Sequence, residues 1–256
     1  MPDVPEPAVL AVIPARHGSS RFPGKVLAPL AGKPLVAHAY SRAVQARRVA
    51  GACVAADDPR IVDALEPLGI PVEMTDAGHP SGTDRIAEVA RRRDAGVIVN
   101  VQGDEPLIDP RTIDDTVDAL LGDPDCVMAT ARRRITDPES IENPNVVKVV
   151  CDLQGRALYF SRWPVPYARD GGAAAHWQHI GLYVYRRDFL LTYAGLPPSP
   201  LEEAERLEQL RVLENGYRIA VAETDYVSVS VDTPGDLERV AAMLDAGGGA
   251  GKEDDA

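Results

Sequence analysis

Positive charge is in short supply in this chain. Its 27 Lys and Arg face 39 Asp and Glu, for a net charge of −12. A surface of that sign repels the phosphates of nucleic acid and of anionic lipid, so neither is expected as a partner. Cysteine is scarce too: Cys53, Cys126 and Cys151 are odd in number and have no C-x-x-C spacing. They read as buried free thiols in a reducing cytoplasm. No apolar run is long enough to cross a bilayer. The opening Met1-Pro-Asp-Val-Pro-Glu-Pro7 has no basic region followed by an apolar stretch, so no secretory signal is expected. No Gly-x-Gly-x-x-Gly turn follows the first apolar run, which argues against a dinucleotide-dependent oxidoreductase. There is no internal repeat.

The 256 residues, 45% apolar and 26% charged, suit one large α/β domain or a domain with a small lobe. Residues 1–8 are Pro-rich and acidic, and 245–256 are Gly-rich and charged; both read as disordered ends flanking a domain over 9–244. Between them strand and helix patterns alternate. Strands are predicted at Val9–Pro14, Ala52–Ala56, Val72–Met74, Val97–Val101 and Cys126–Ala131. Helices are predicted at Pro34–Arg48, Pro59–Leu68, Thr83–Arg93 (with Thr83 as N-cap) and Asp109–Leu121. This alternation predicts a Rossmann-like, mostly parallel sheet with helices on both faces. The middle differs. Val146–Asp152, a turn at Gln154-Gly155 and Arg156–Phe160 read as a hairpin, and His179–Tyr185 as a further strand. The block 143–186 is therefore expected to form a small hairpin-rich lobe, a candidate for dimerisation. Helix returns over Pro200–Gly216. A strand end near Val229–Val231 leads into a last helix opened by Thr233-Pro234.

Ligands of open α/β sheets bind beyond the carboxyl ends of the strands. The loop after the first strand, Arg16-His-Gly-Ser-Ser-Arg-Phe-Pro-Gly-Lys25, packs three cations and two serines around glycines. Arg16, Arg21 and Lys25 with Ser19, Ser20 and the backbone N–H groups near Gly18 are expected to form a phosphate site, against the alternative of an ordinary strand-to-helix loop with solvated arginines. Asp104 follows the strand Val97–Val101, and Asp232 follows Val229–Val231. Carboxylates so mounted suit Mg²⁺, although Asp232 before Pro234 also reads as an ordinary helix cap. Glu105 is expected to support its neighbour or face solvent. In His79-Pro-Ser-Gly-Thr-Asp-Arg85, Ser81 and Thr83 could bond a base or ribose, or simply cap a helix. His179 and Tyr183 lie four apart on one strand and so share a face. Glu208 and Gln209 read on spacing alone as a solvated helix face.

Taken in order, several motifs carry a resemblance over Val9–Leu244. They are Ile13-Pro-Ala-Arg16, Arg21-Phe-Pro-Gly-Lys25, His79–Arg85, Asn100-Val-Gln-Gly-Asp-Glu-Pro106, Asn143-Pro-Asn-Val-Val-Lys148, Ala157-Leu-Tyr-Phe-Ser-Arg162, His179-Ile-Gly-Leu-Tyr183, Leu207-Glu-Gln-Leu-Arg211 and Val231-Asp-Thr-Pro234. Together they resemble the 3-deoxy-manno-octulosonate (Kdo) cytidylyltransferases. The resemblance implies a nucleotide-sugar transferase type of fold and a nucleotidyltransferase that joins CTP and Kdo into CMP-Kdo and diphosphate, for lipopolysaccharide synthesis. It implies a cytoplasmic, Mg²⁺-dependent homodimer. By motif position, Arg16, Ser20, Arg21 and Lys25 would hold the triphosphate, and Ser81 and Gln102 would lie near cytosine and ribose. Asp104 and Asp232 would hold the metal, and Lys25 and Arg21 would join them in catalysis. Arg162, His179, Tyr183, Glu208 and Gln209 would line the sugar pocket, with Arg162 on the sugar carboxylate. The family often has a small residue after its Ser-Arg pair, where this chain has Trp163. The alternatives are a cytidylyltransferase for 8-amino-Kdo or sialic acid, or an inactive nucleotide-binding protein of the same fold.

Overall fold

In the computed structural model, residues 7–18, 22–169 and 174–248 are described. Eleven strands run β1 (Val9–Ala15), β2 (Pro29–Leu30), β3 (Lys33–Pro34), β4 (Gly51–Ala56), β5 (Val72–Met74), β6 (Val97–Asn100), β7 (Cys126–Arg134), β8 (Lys148–Cys151), β9 (Ala157–Ser161), β10 (Trp177–Arg186) and β11 (Arg218–Glu223). The α-helices are α1 (Leu35–Ala43), α2 (Pro59–Leu65), α3 (Gly82–Arg92), α4 (Pro110–Gly122), α5 (Pro138–Glu142), α6 (Arg187–Tyr193), α7 (Pro200–Glu205), α8 (Gln209–Glu214) and α9 (Pro234–Gly248). Among the described residues no helix is long and apolar enough to cross a membrane.

The main sheet has the order β11-β7-β10-β6-β1-β4-β5, with β8 attached to β10 and β9 to β8. Its neighbours are parallel except where β10 runs against β6, β7 and β8 and where β8 runs against β9. β2 and β3 form a separate small antiparallel pair. The period-2 pattern of β1 shows how the layers arise. Ala11, Ile13 and Ala15 pack on one face with α1, α2 and α4, while Val12 packs on the other with α3, α6 and α8. A strand buried on both sides must be apolar nearly throughout, which is why β1 reads as a continuous run. The chain leaves β1 toward β4 and β5, then returns to β6 on the other flank of β1. That reversal opens a crevice beyond the carboxyl ends of β1 and β6.

Several boundaries differ from expectation. The helix expected to reach Arg48 ends at Ala43, and β7 extends to Arg134. The helix expected over 200–216 is two short helices, broken where Arg206 takes a φ of 55°. No glycine marks that break, so the sequence pattern runs through it. The block 143–186 divides: β8 and β9 form the hairpin, while β10 enters the middle of the sheet. The segment 229–231 is not a strand; its tie is a backbone bond from Val231 N–H to the Asp104 carbonyl at 2.9 Å. α3 is capped by Ser81, whose side chain accepts from the Asp84 N–H, not by Thr83. β11 and α6 had no expectation. The first is a short apolar run without clear period, and the second continues β10 with no turn residue between them. α9 runs to Gly248, past the expected boundary at 244. Residues 1–6 of the proposed disordered start and 249–256 of the tail lie outside the described residues. Cys53 and Cys126 are buried as expected, but Cys151 is half-buried.

Gly103 shows how tightly the crevice floor is built. A Cβ there would sit 3.0 Å from the Pro14 carbonyl oxygen and 3.5 Å from Ile13 Cγ2. Both belong to β1, which cannot yield without disturbing the sheet. Gly103→Ala is expected to cost about 1–3 kcal/mol in urea unfolding, through overpacking, and to lower activity by displacing Asp104.

Candidate active site

The loop after β1 folds back on itself. Gly24 adopts a left-handed φ of 70° and donates its N–H to the His17 carbonyl at 3.2 Å. The loop is also pinned from β4, where Asp57 Oδ1 accepts the His17 N–H at 2.9 Å. The turn delivers Lys25 to the crevice. Its Nζ donates to Asp104 Oδ2 at 2.7 Å and to Asp232 Oδ1 at 3.1 Å, partners 79 and 207 residues away in sequence. The lysine side chain is 12% exposed and the carboxylates 31% and 34%. Burial alone would lower the ammonium pKa. The charge and hydrogen bonds of Asp104, then those of Asp232, outweigh it and hold the lysine above its ordinary value.

Asp104 and Asp232 come from segments with no shared element, and a set of polar ties aligns them. Besides the Val231–Asp104 backbone bond, Ser228 Oγ donates to Glu105 Oε1 at 2.8 Å and Tyr226 Oη to Glu105 Oε2 at 3.3 Å. Glu105 is therefore a support and not solvent-facing; it is 7% exposed. Burial, with the neighbouring Asp104 charge adding to it, pushes its carboxyl up to about 7.

A cavity of about 380 Å³ lies over this triad, lined by Arg16, Gly18, Lys25, His79, Ser81, Arg85, Gln102, Asp104, Glu208 and Asp232 among others. A second, of about 280 Å³, is lined by Gln102, Tyr183, Tyr185, Arg206, Glu208 and Gln209 among others. Gln102 and Glu208 belong to both walls, so the two spaces meet there. The structure thus gathers Arg16, Lys25, Ser81, Gln102, Asp104 and Asp232 at one cavity, and Tyr183, Glu208 and Gln209 at the other. Glu208 is exposed, but to the cavities. Gln209 is 2% exposed, accepts from Tyr183 Oη at 3.4 Å and leaves its buried Nε2 without a hydrogen-bond partner. The solvated helix face read from spacing is therefore a cavity wall. Ser19, Ser20 and Arg21 lie outside the described residues.

Two expected sugar residues line neither cavity. Arg162 donates to three backbone carbonyls, those of Glu205 at 2.7 Å, Pro144 at 3.0 Å and Arg206 at 3.4 Å. It ties the β8–β9 hairpin to the break between α7 and α8. His179 is 8% exposed, pairs through Nε2 with Thr130 Oγ1 at 2.8 Å and meets the Phe160 ring edge-on at 4.9 Å. Trp163 is 76% exposed. Arg85, in the 79–85 loop expected near cytosine and ribose, also lines the larger cavity. It is 2% exposed, donates to Thr75 Oγ1 at 2.6 Å and faces Asp57 at 3.6 Å. Asp57 had the signal used for Asp104, a carboxylate directly after a buried strand.

The fold and the crevice at its reversal define a nucleotide-binding α/β protein. The cytidylyltransferase family pattern matches residues 10–219. A 3-deoxy-manno-octulosonate cytidylyltransferase of Solibacter usitatus is 56% identical over 239 residues, 93% of this chain and 95% of that one. Another, from Geobacter metallireducens, is 52% identical over 247 residues, 92% and 97% of the two chains. A solved structure described as CMP:2-keto-3-deoxy-manno-octonic acid synthetase complexed with CTP superposes with a TM-score of 0.90 at 43% identity, covering 94% of this chain and 99% of that one. The chain belongs to the cytidylyltransferase family and, within it, to the 3-deoxy-manno-octulosonate cytidylyltransferases.

Burial lowers the His179 imidazole to about 3. Its folded value lies below the unfolded value near 6.5, so between those limits the unfolded chain binds more protons. Stability from this group is complete above the unfolded value and falls as the pH drops toward 3. In urea unfolding from pH 7 down to pH 4, His179→Gln is expected to lose stability less steeply than the parent, by up to about 1.4 kcal/mol per pH unit. Parallel slopes would contradict a neutral buried His179.

Proposed function

We propose that this chain activates Kdo with CTP, releasing diphosphate and forming CMP-Kdo for lipopolysaccharide synthesis. The observation that carries this reading is the meeting of two cavities beside a lysine bracketed by two aspartates. The larger cavity, with Arg16 and Lys25, suits CTP, and the smaller one, with Tyr183, Glu208 and Gln209, suits the sugar. The relatives are named 3-deoxy-manno-octulosonate cytidylyltransferases, and the solved structure is described as a complex with CTP. The sugar's anomeric oxygen would bond to the α-phosphorus, the α–β bridging P–O bond would break, and diphosphate would leave. The hydroxyl proton passes to solvent or to diphosphate. Such transfer depends on positioning and charge neutralisation more than on a general base.

The donor set fits Mg²⁺. Asp104 and Asp232 already converge on one cation, the Lys25 ammonium, and each is open to further ligands. Among the described residues no group of three or more His, Cys, Asp or Glu is arranged to hold a metal. Two carboxylates plus waters and phosphate oxygens is the set Mg²⁺ prefers. When bound, the ion would neutralise phosphate charge and lower the pKa of the attacking hydroxyl. Lys25 and a divalent cation therefore compete for the same carboxylate pair, and Lys25, once displaced, is available to the triphosphate.

Diphosphate release from CTP should be faster with Kdo than with 8-amino-Kdo or sialic acid. A faster reaction with either of those, or none with any, would overturn the assignment. In the same assay Lys25→Ala is expected to lower kcat about 10²–10³-fold while the KM for CTP changes far less.

A further inference from the structure

Thr83 lines neither cavity itself, but its hydroxyl lies against two residues that do, Glu208 and Tyr185. Thr83 is 5% exposed and is the second residue of α3; the residues before it, Ser81 and Gly82, line the larger cavity, but Thr83 does not. Its Oγ1 donates to Glu208 Oε2 at 2.8 Å, across 125 residues of sequence. Glu208 stands where the cavities meet. Its backbone carbonyl accepts from Tyr193 Oη at 3.1 Å, so Tyr193 fixes the main chain and Thr83 fixes the carboxylate. The surroundings make that single donor count. Glu202 and Asp84 add negative charge near Glu208. Arg211, the cation nearby, spends Nε and Nη2 on Glu202. Surrounding protein pushes the Glu208 carboxyl above its ordinary range, and the Thr83 hydrogen bond opposes that push.

We propose that Thr83 is a positioning residue for the sugar: it aims the Glu208 carboxylate into the smaller cavity and links that aim to the helix whose N-terminus faces the nucleotide. The assignment rests on the reading of the two cavities as CTP and Kdo sites. A carboxylate that loses the only side-chain donor it has among the described residues can rotate among several rotamers, and the sugar must then restrain it on binding. In the wall of the nucleotide cavity the Thr83 hydroxyl bonds Glu208, whereas no hydrogen bond ties it to Ser81, Gly82 or Arg85.

The test is steady-state diphosphate release by Thr83→Val, which keeps the shape and removes the donor, and by Thr83→Ser, which keeps the donor. Thr83→Val should raise the KM for Kdo about tenfold, the size of one hydrogen bond to a charged group, and leave the KM for CTP within about twofold. Thr83→Ser should restore the parent values. In a Glu208→Ala background the same Thr83→Val change should add no further rise in the KM for Kdo. Should Thr83→Val fail to fold, Thr83→Ala removes the same hydroxyl and carries the comparison. Unchanged KM for Kdo, equal rises for both substrates, a Ser variant as impaired as Val, or full additivity with Glu208→Ala would each overturn the proposal. If the parent protein does not use Kdo at all, the functional reading fails and the role of Thr83 falls with it; if it does, the variants judge Thr83 alone.

Discussion

The contact between Lys25 and the pair Asp104–Asp232 is the constraint around which the rest is arranged. Two carboxylates brought to one point repel each other. The Lys25 ammonium, 2.7 Å from one and 3.1 Å from the other, offsets that repulsion. The sheet delivers the partners. Lys25 comes from the loop after β1 and Asp104 from the loop after β6, the two strands flanking the reversal in strand order. Asp232 comes from an irregular strap that the sheet does not hold. The strap is held by Glu105, by the Val231–Asp104 backbone bond and by the packing of Val231 and Val240 with Leu30 and Leu35.

This arrangement explains why the crevice is polar where the layers around it are apolar. The carboxyl ends of β1 and β6 are the last points at which side chains can be mounted on rigid backbone before the chain turns away. Groups mounted there need little reorganisation to meet a charged ligand, which is the economy of a preorganised site. The shared walls at Gln102 and Glu208 place the second cavity within reach of the first. A nucleophile bound in one can then face a phosphate bound in the other, and proximity supplies much of the rate.

The layers and the parallel strands at the centre were legible in the sequence because they obey short-range rules. Apolar period, glycine punctuation and a carboxylate after a buried run each act within a few residues. What was not legible depends on long-range packing. Antiparallel β10 in the middle of the sheet has no local mark, since its alternation is that of any strand. The left-handed Arg206 breaks a helical pattern without glycine, and that break turns Glu208 and Gln209 from a solvated face into a cavity wall. Arg162 and His179 had the right chemistry for a sugar site, yet one is occupied by carbonyls and the other is buried against Thr130 and Phe160. The clamp on Glu105 joins residues more than a hundred positions apart, and no spacing rule reaches that far.

Lys25 and a divalent cation are proposed to occupy the same place. Calorimetric titration of the nucleotide-free protein with Mn²⁺, as a stand-in for Mg²⁺, measures this directly. Lys25→Met removes the competing ammonium and is predicted to bind Mn²⁺ more tightly than the parent, while Asp104→Asn is predicted to bind it more weakly. A Lys25→Met variant that binds Mn²⁺ no more tightly than the parent would contradict the shared site.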